Sequence, residues 1–95
     1  MTPHVDISDK GKELKVSVEL PGMDKDDVEV NLDDNALTIR GEKKSEETEE
    51  KEGYYMSERS YGAFQRIIPL PVEVDPEKVK AKFKKGVLNI VLPKS

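Results

Sequence analysis

Val79-Lys80-Ala81-Lys82-Phe83-Lys84-Lys85-Gly86-Val87-Leu88-Asn89-Ile90-Val91-Leu92 is the stretch from which the fold can be read. Val79, Ala81 and Phe83 alternate with Lys80, Lys82 and Lys84, so a strand here has one apolar and one cationic face. Gly86 interrupts the pattern and Val87 to Leu92 begins a new apolar run, which reads as strand, tight reversal, strand. Just upstream, Asp75-Pro76-Glu77 has the order of a helix start, and Val79 and Phe83 are spaced as on a helix face. The unbroken Val-Lys-Ala-Lys-Phe-Lys alternation outweighs that spacing. One helical turn over Pro76 to Lys78 followed by a strand is expected.

The same period of two runs through the chain upstream. His4 to Ser8 alternates weakly, and Asp9-Lys10-Gly11-Lys12 is turn chemistry. Leu14, Val16, Val18 and Leu20 alternate cleanly with Lys15, Ser17 and Glu19, and Pro21-Gly22 ends that strand. Met23 to Asp27 is a polar connection with room for one helical turn. Val28, Val30 and Leu32 alternate again, Asp33-Asp34-Asn35 turns, and Ala36 to Gly41 resumes the pattern. Residues Glu42 to Glu52 carry six glutamates, three lysines and no apolar side chain, which reads as a solvated loop. Beyond it, Gly53 to Arg59 reads as a strand that need not rejoin its own sheet. Tyr61 to Pro71 reads as a strand closing at prolines, which suit a strand end or an edge. About eight short strands with regular turns imply a β-sandwich or barrel.

Composition narrows the function classes. With 95 residues the chain has room for one domain. The charged fraction is 38% and the hydrophobic fraction 35%, which suits a thin core under a solvated surface. Sixteen basic against twenty acidic residues leave a net charge of −4, which argues against nucleic acid as a partner. No apolar run approaches the roughly 20 residues of a membrane span, and the N-terminus lacks the basic and apolar regions of a signal peptide. The absence of cysteine fits a reducing cytosol, the expected location. The abrupt start and finish suggest a domain excised from a longer chain. His4 is the only histidine, so neither a transition-metal site nor a serine nucleophile with its base is expected. The clusters Asp24, Asp26, Asp27 and Asp33, Asp34 lack the glycine and distal glutamate of a calcium loop, and no glycine-rich phosphate loop occurs. No cofactor and no enzymatic activity are expected.

Four stretches in register carry a resemblance. Ala81-x-x-x-x-Gly86-Val87-Leu88 with Leu92-Pro93 resembles the signature of the alpha-crystallin domain of small heat-shock proteins. Glu19-Leu20-Pro21-Gly22 ahead of Val28-Glu29-Val30, Ala36-Leu37-Thr38-Ile39-Arg40-Gly41-Glu42, and Glu58-Arg59-Ser60-Tyr61-Gly62-Ala63-Phe64-Gln65-Arg66 before Leu70-Pro71 are similar to other parts of that domain. Each motif alone is weak; together they span essentially the whole chain. The long loop before Tyr54 resembles bacterial, archaeal and plant members.

The resemblance implies an all-β, immunoglobulin-like antiparallel sandwich of residues 1–95 with one long polar loop, residues 42–60, carrying a swapped strand. It implies an ATP-independent holdase that dimerises and binds unfolding client proteins. It further implies a peptide groove between two edge strands, walled by Val28, Val30 and Leu32 and by Val79, Ala81 and Phe83, that accepts an Ile-x-Ile tail from a neighbouring subunit. These six residues are equally readable as ordinary core. By the same resemblance the homodimer forms by strand exchange, with Tyr54, Tyr55, Met56 and Arg59 received by His4, Val5 and Ile7 of the partner. Arg66 lies at that interface, and Gly86, Val87 and Leu88 form the motif. Neither an Ile-x-Ile tail after Ser95 nor a long arm before Thr2 is present, so a dimer with weak holdase activity is expected. The alternatives are a co-chaperone module of the related CS type, and a small sandwich hydrolase or sugar-binding domain.

Overall fold

The computed structural model describes the backbone of residues 3–48 and 57–95, and side chains over residues 3–43 and 62–95. Seven strands are present among the described residues: β1 (His4–Asp9), β2 (Glu13–Glu19), β3 (Val28–Asp33), β4 (Ala36–Thr48), β5 (Ser57–Pro69), β6 (Lys80–Lys84) and β7 (Val87–Pro93). They form two antiparallel sheets, one ordered β1-β2-β7-β6 and the other β3-β4-β5. This is the expected β-sandwich. Single 3-10 turns at Lys25–Asp27 and Pro76–Lys78 fill the two positions where one helical turn was anticipated. The second is capped as its sequence implies: Asp75 accepts from the Glu77 amide at 3.1 Å and Pro76 occupies the first position.

The core follows from the alternation. Leu14, Val16 and Val18 of β2 pair with Leu92, Ile90 and Leu88 of β7, and all six are at most 4% exposed. Leu37 and Ile39 of β4, with Phe64 and Ile68 of β5, supply the facing layer. Burying each Leu or Ile contributes about 1.5–3 kcal/mol, so the central strands β2, β7 and β4 anchor the fold.

Turn chemistry sets the register of both hairpins that flank the core. Asp34 and Asn35 have φ of 50° and 54°, and Lys85 and Gly86 have φ of 51° and 75°. Each pair makes a two-residue turn with both φ positive, the type matched to strand twist. The Gly86 carbonyl also accepts from the Leu20 amide at 2.7 Å, tying the β6–β7 hairpin to the end of β2. Asn35 does more than turn. Its side chain donates to the Val72 carbonyl at 2.9 Å and accepts from the Val74 amide at 3.3 Å, and its carbonyl accepts from the Leu70 amide at 3.1 Å. One residue thereby holds the crossing segment that leads from β5 back to the other sheet.

Residues 42–48, read from composition as part of a solvated loop, are strand. β4 continues to Thr48 and pairs residue by residue with β5, Glu42 opposite Ala63 and Thr48 opposite Ser57. The two strands anticipated over 53–59 and 61–71 thus merge, over the described part, into the single β5, which leaves seven strands instead of about eight. Backbone hydrogen bonds carry such a ladder without an apolar face, so hydrophobic period does not reveal it. Tyr54, Tyr55 and Met56 lie outside the described residues.

Gly41 faces Phe64 across the β4–β5 ladder, and a β-carbon at Gly41 would run into the Phe64 ring. Gly41→Ala should therefore cost about 1–3 kcal/mol by overpacking, read as a lower urea midpoint. Adding Phe64→Leu should recover part of that loss. If Gly41→Ala alone leaves the midpoint unchanged, the ring does not hold that position.

Candidate groove and open edges

The sandwich has two open sides. On one, β3 is the edge of its sheet and β6 the edge of the other. Val28, Val30 and Leu32 of β3 are half-buried, as are Val79 and Phe83, whereas Ala81 is exposed. All but Ala81 also pack against the core cluster, so they are wall and core at once. Between the edges lies a pocket of about 190 Å³ lined by Lys25, Val28, Val30, Ala81, Phe83 and Leu88. Leu32 and Val79 do not line it. Lys25 and Leu88 do: Leu88, 4% exposed, reaches it from β7, and Lys25 reaches it from the 3-10 turn before β3. Nothing local in the sequence marks Lys25, because only the sandwich brings that turn beside β6.

Edge chemistry follows from the hairpin. Lys84 and Val87 flank the two-residue turn and exchange hydrogen bonds, and so do the next alternate pairs, Lys82 with Asn89 and Lys80 with Val91. The backbone amides and carbonyls of Ala81 and Phe83 therefore point away from β7, toward the open edge. Backbone donors and acceptors in a row above an apolar pocket are what an added strand requires.

On the other open side, β1 is the edge strand. Ile7 stands in one cross-strand row with Val16 and Ile90, both buried, yet is itself 43% exposed. Val5 is half-buried against the core, and His4 is exposed with Nε2 3.1 Å from Asp6 Oδ2. Arg66 of the edge strand β5 shares the inward row of Val30 and Ile39 but is exposed. An inward-pointing cation and an uncovered isoleucine thus mark this side. The side chain of Arg59 is outside the described set; its backbone pairs with Glu46. Gly86 forms the β6–β7 turn, Val87 is half-buried at the start of β7, and Leu88 is buried.

Such a domain is a small two-sheet sandwich with an apolar groove at one open side and the free edge of β1 at the other. The Hsp20/alpha crystallin family matches residues 6–95, and the chain belongs to that family. It is 39% identical over 94 residues to small heat shock protein C2 of Rickettsia felis, covering 99% of this chain and 61% of that protein. It is 46% identical over 95 residues to small heat shock protein C4 of the same organism, covering 99% of this chain and 58% of that one. The chain thus spans about three fifths of the length of these curated relatives. Among solved structures it superposes on heat shock protein 16.0 of Schizosaccharomyces pombe with a TM-score of 0.82 at 38% identity, covering all of this chain and 75% of that one. A small heat-shock protein from Xylella fastidiosa gives 0.77 at 37% identity, covering 99% and 86%. No helix among the described residues is long and apolar enough to cross a membrane.

The end of β1 is latched. The Asp9 carboxylate accepts from Lys94 Nζ at 2.9 and 3.0 Å and from the Gly11 amide at 2.9 Å. The Lys94 hydrogen bond, and after it the Gly11 amide, hold the Asp9 carboxyl below its ordinary value. A carboxyl depressed in the folded state contributes stability above the unfolded value, about 3.9 for Asp, and loses it as pH falls through the folded value. Lys94→Gln should shift the Asp9 titration, followed by carboxyl NMR, back toward about 3.9. The stability advantage of the unsubstituted chain should be present above about pH 4 and vanish in acid. An Asp9 titration that does not move would show that Lys94 has no hold on it.

Proposed function

We propose that this chain is the client-handling domain of an ATP-independent cytosolic holdase, which captures unfolding proteins and keeps them from aggregating. The groove between β3 and β6 receives an extended apolar segment, an Ile-x-Ile type tail of a neighbouring subunit in the assembly. The observation that supports this reading best is the apolar pocket of about 190 Å³ roofed by the unpaired backbone of Ala81 and Phe83. The membership in the Hsp20/alpha crystallin family and the 38% charged composition, which keeps a sticky surface soluble, agree with it.

We further propose a homodimer by strand exchange, in which the segment Tyr54 to Arg59 of one protomer pairs with β1 of the other. The open edge of β1, the exposure of Ile7 and the inward-facing Arg66 support it. His4 and Val5 sit on the same receiving strand.

Two measurements test these readings. In light scattering of a heat-labile client enzyme, the chain should suppress aggregation in proportion to its concentration. Ala81→Glu, an exposed position that puts a charge in the groove without removing core contact, should abolish binding of an Ile-x-Ile peptide while leaving the thermal midpoint within a few degrees. Undiminished peptide binding by that variant would place the acceptor elsewhere. For the dimer, residues 46–59 are replaced by Asn-Gly, which joins Ser45 to its register partner Ser60 in a two-residue hairpin. The shortened chain should sediment as a monomer in analytical ultracentrifugation, and a persisting dimer would rule out the exchange.

A further inference from the structure

The groove's rim has a sign. Lys80, Lys82 and Lys84 all lie on the outward face of β6 and are exposed. None has a hydrogen bond or ion pair among the described residues. Their neighbours across the ladder on β7 are Val91, Asn89 and Val87, all uncharged. The next strand offers Lys15, Ser17 and Glu19 in the same rows, two strand spacings or about 10 Å away. The sheet itself therefore leaves three lysines unneutralised along an edge that has no strand beyond it. On the opposite rim the outward residues of β3 are Glu29, Asn31 and Asp33. The outward faces of the two edge strands thus differ in charge, with Lys25 of the turn before β3 the one cation on that side of the pocket lining, while the chain as a whole is net −4.

We infer that the segment docking in this groove pairs with β6, not with β3, and carries carboxylates between its apolar anchors. The inference rests on the groove reading above and adds the ligand's chemistry to it. A strand added to β6 meets the free backbone groups of Ala81 and Phe83. Its residues opposite those two point inward to the pocket, and its alternate residues stand on the outer face beside Lys80, Lys82 and Lys84. Directly opposed side chains in a ladder lie about 4.5–5.5 Å apart, close enough for each carboxylate to meet a lysine. Against β3 the same carboxylates would face Glu29 and Asp33. The matching ligand is an extended segment of a neighbouring subunit of the form acid-apolar-acid-apolar-acid. Attraction by the protein as a whole cannot produce this preference, because the net charge has the opposite effect.

The test uses three fluorescent peptides with the cores Glu-Ile-Glu-Ile-Glu, Gln-Ile-Gln-Ile-Gln and Lys-Ile-Lys-Ile-Lys, and a Glu-Ser-Glu-Ser-Glu control. Anisotropy titrations run with the full chain at low and high salt. The glutamate peptide should bind about five- to twentyfold tighter than the lysine peptide at low ionic strength, with the glutamine peptide between them. The spread should collapse toward 1 M salt, where the screening length is about 3 Å. Lys80→Glu/Lys82→Glu/Lys84→Glu, all exposed positions, should reverse the order with an unchanged circular dichroism spectrum. Equal binding of the three isoleucine peptides would overturn the charge selection and leave the groove standing. Binding of none would overturn both readings. A serine control that binds as tightly as the glutamate-isoleucine peptide would reduce the lysines to a plain charged surface and overturn the inference.

Discussion

The register of β6 on β7 is the constraint from which the rest of the molecule follows. It is set by the two-residue turn at Lys85 and Gly86, both with positive φ, and secured by the Leu20 amide donating to the Gly86 carbonyl at 2.7 Å. A slip of one residue would turn Lys80, Lys82 and Lys84 toward the groove and Ala81 and Phe83 toward water. With the register as it is, Leu88 and Ile90 enter the core between the sheets. The edge backbone of Ala81 and Phe83 is left presenting its hydrogen-bonding groups to the groove. Apolar burial in the centre and an unpaired apolar edge are thus produced by the same alternation.

A sandwich of this kind does not protect its edges in the usual way. β6 carries lysines, one of the standard means of discouraging edge pairing, yet it keeps an apolar pocket at its side. β1 leaves Ile7 uncovered although its neighbours in the row, Val16 and Ile90, are buried. Both features are what the proposed groove and the proposed strand exchange would use in this member of the Hsp20/alpha crystallin family. The β4–β5 ladder runs on from Glu42 to Thr48, opposite Ala63 to Ser57, through a β4 stretch with no apolar residue.

Several parts of the fold were plain in the residues themselves. Leu14, Val16 and Val18 announced a half-buried strand, Asp75-Pro76-Glu77 announced a single capped turn, and Gly86 announced the reversal. The extension of β4 to Thr48 was not legible, because a backbone ladder of charged residues leaves no hydrophobic period to read. Nor was the double role of Asn35, whose turn chemistry is local but whose hydrogen bonds to Val72 and Val74 span the chain.

The sequence by itself determined the strands, their buried faces and the chain's likeness to the alpha-crystallin domain. Alternation and turn residues are local properties, and the family motifs are strings of residues. Only the tertiary structure decided that the pocket has Leu88 and Lys25 in its lining while Leu32 and Val79 stand aside. It alone set Lys80, Lys82 and Lys84 opposite the uncharged Val91, Asn89 and Val87. Pocket lining and cross-strand pairing depend on which strands lie side by side, and strand order is a contact between segments far apart in the chain, with no signature in either segment alone.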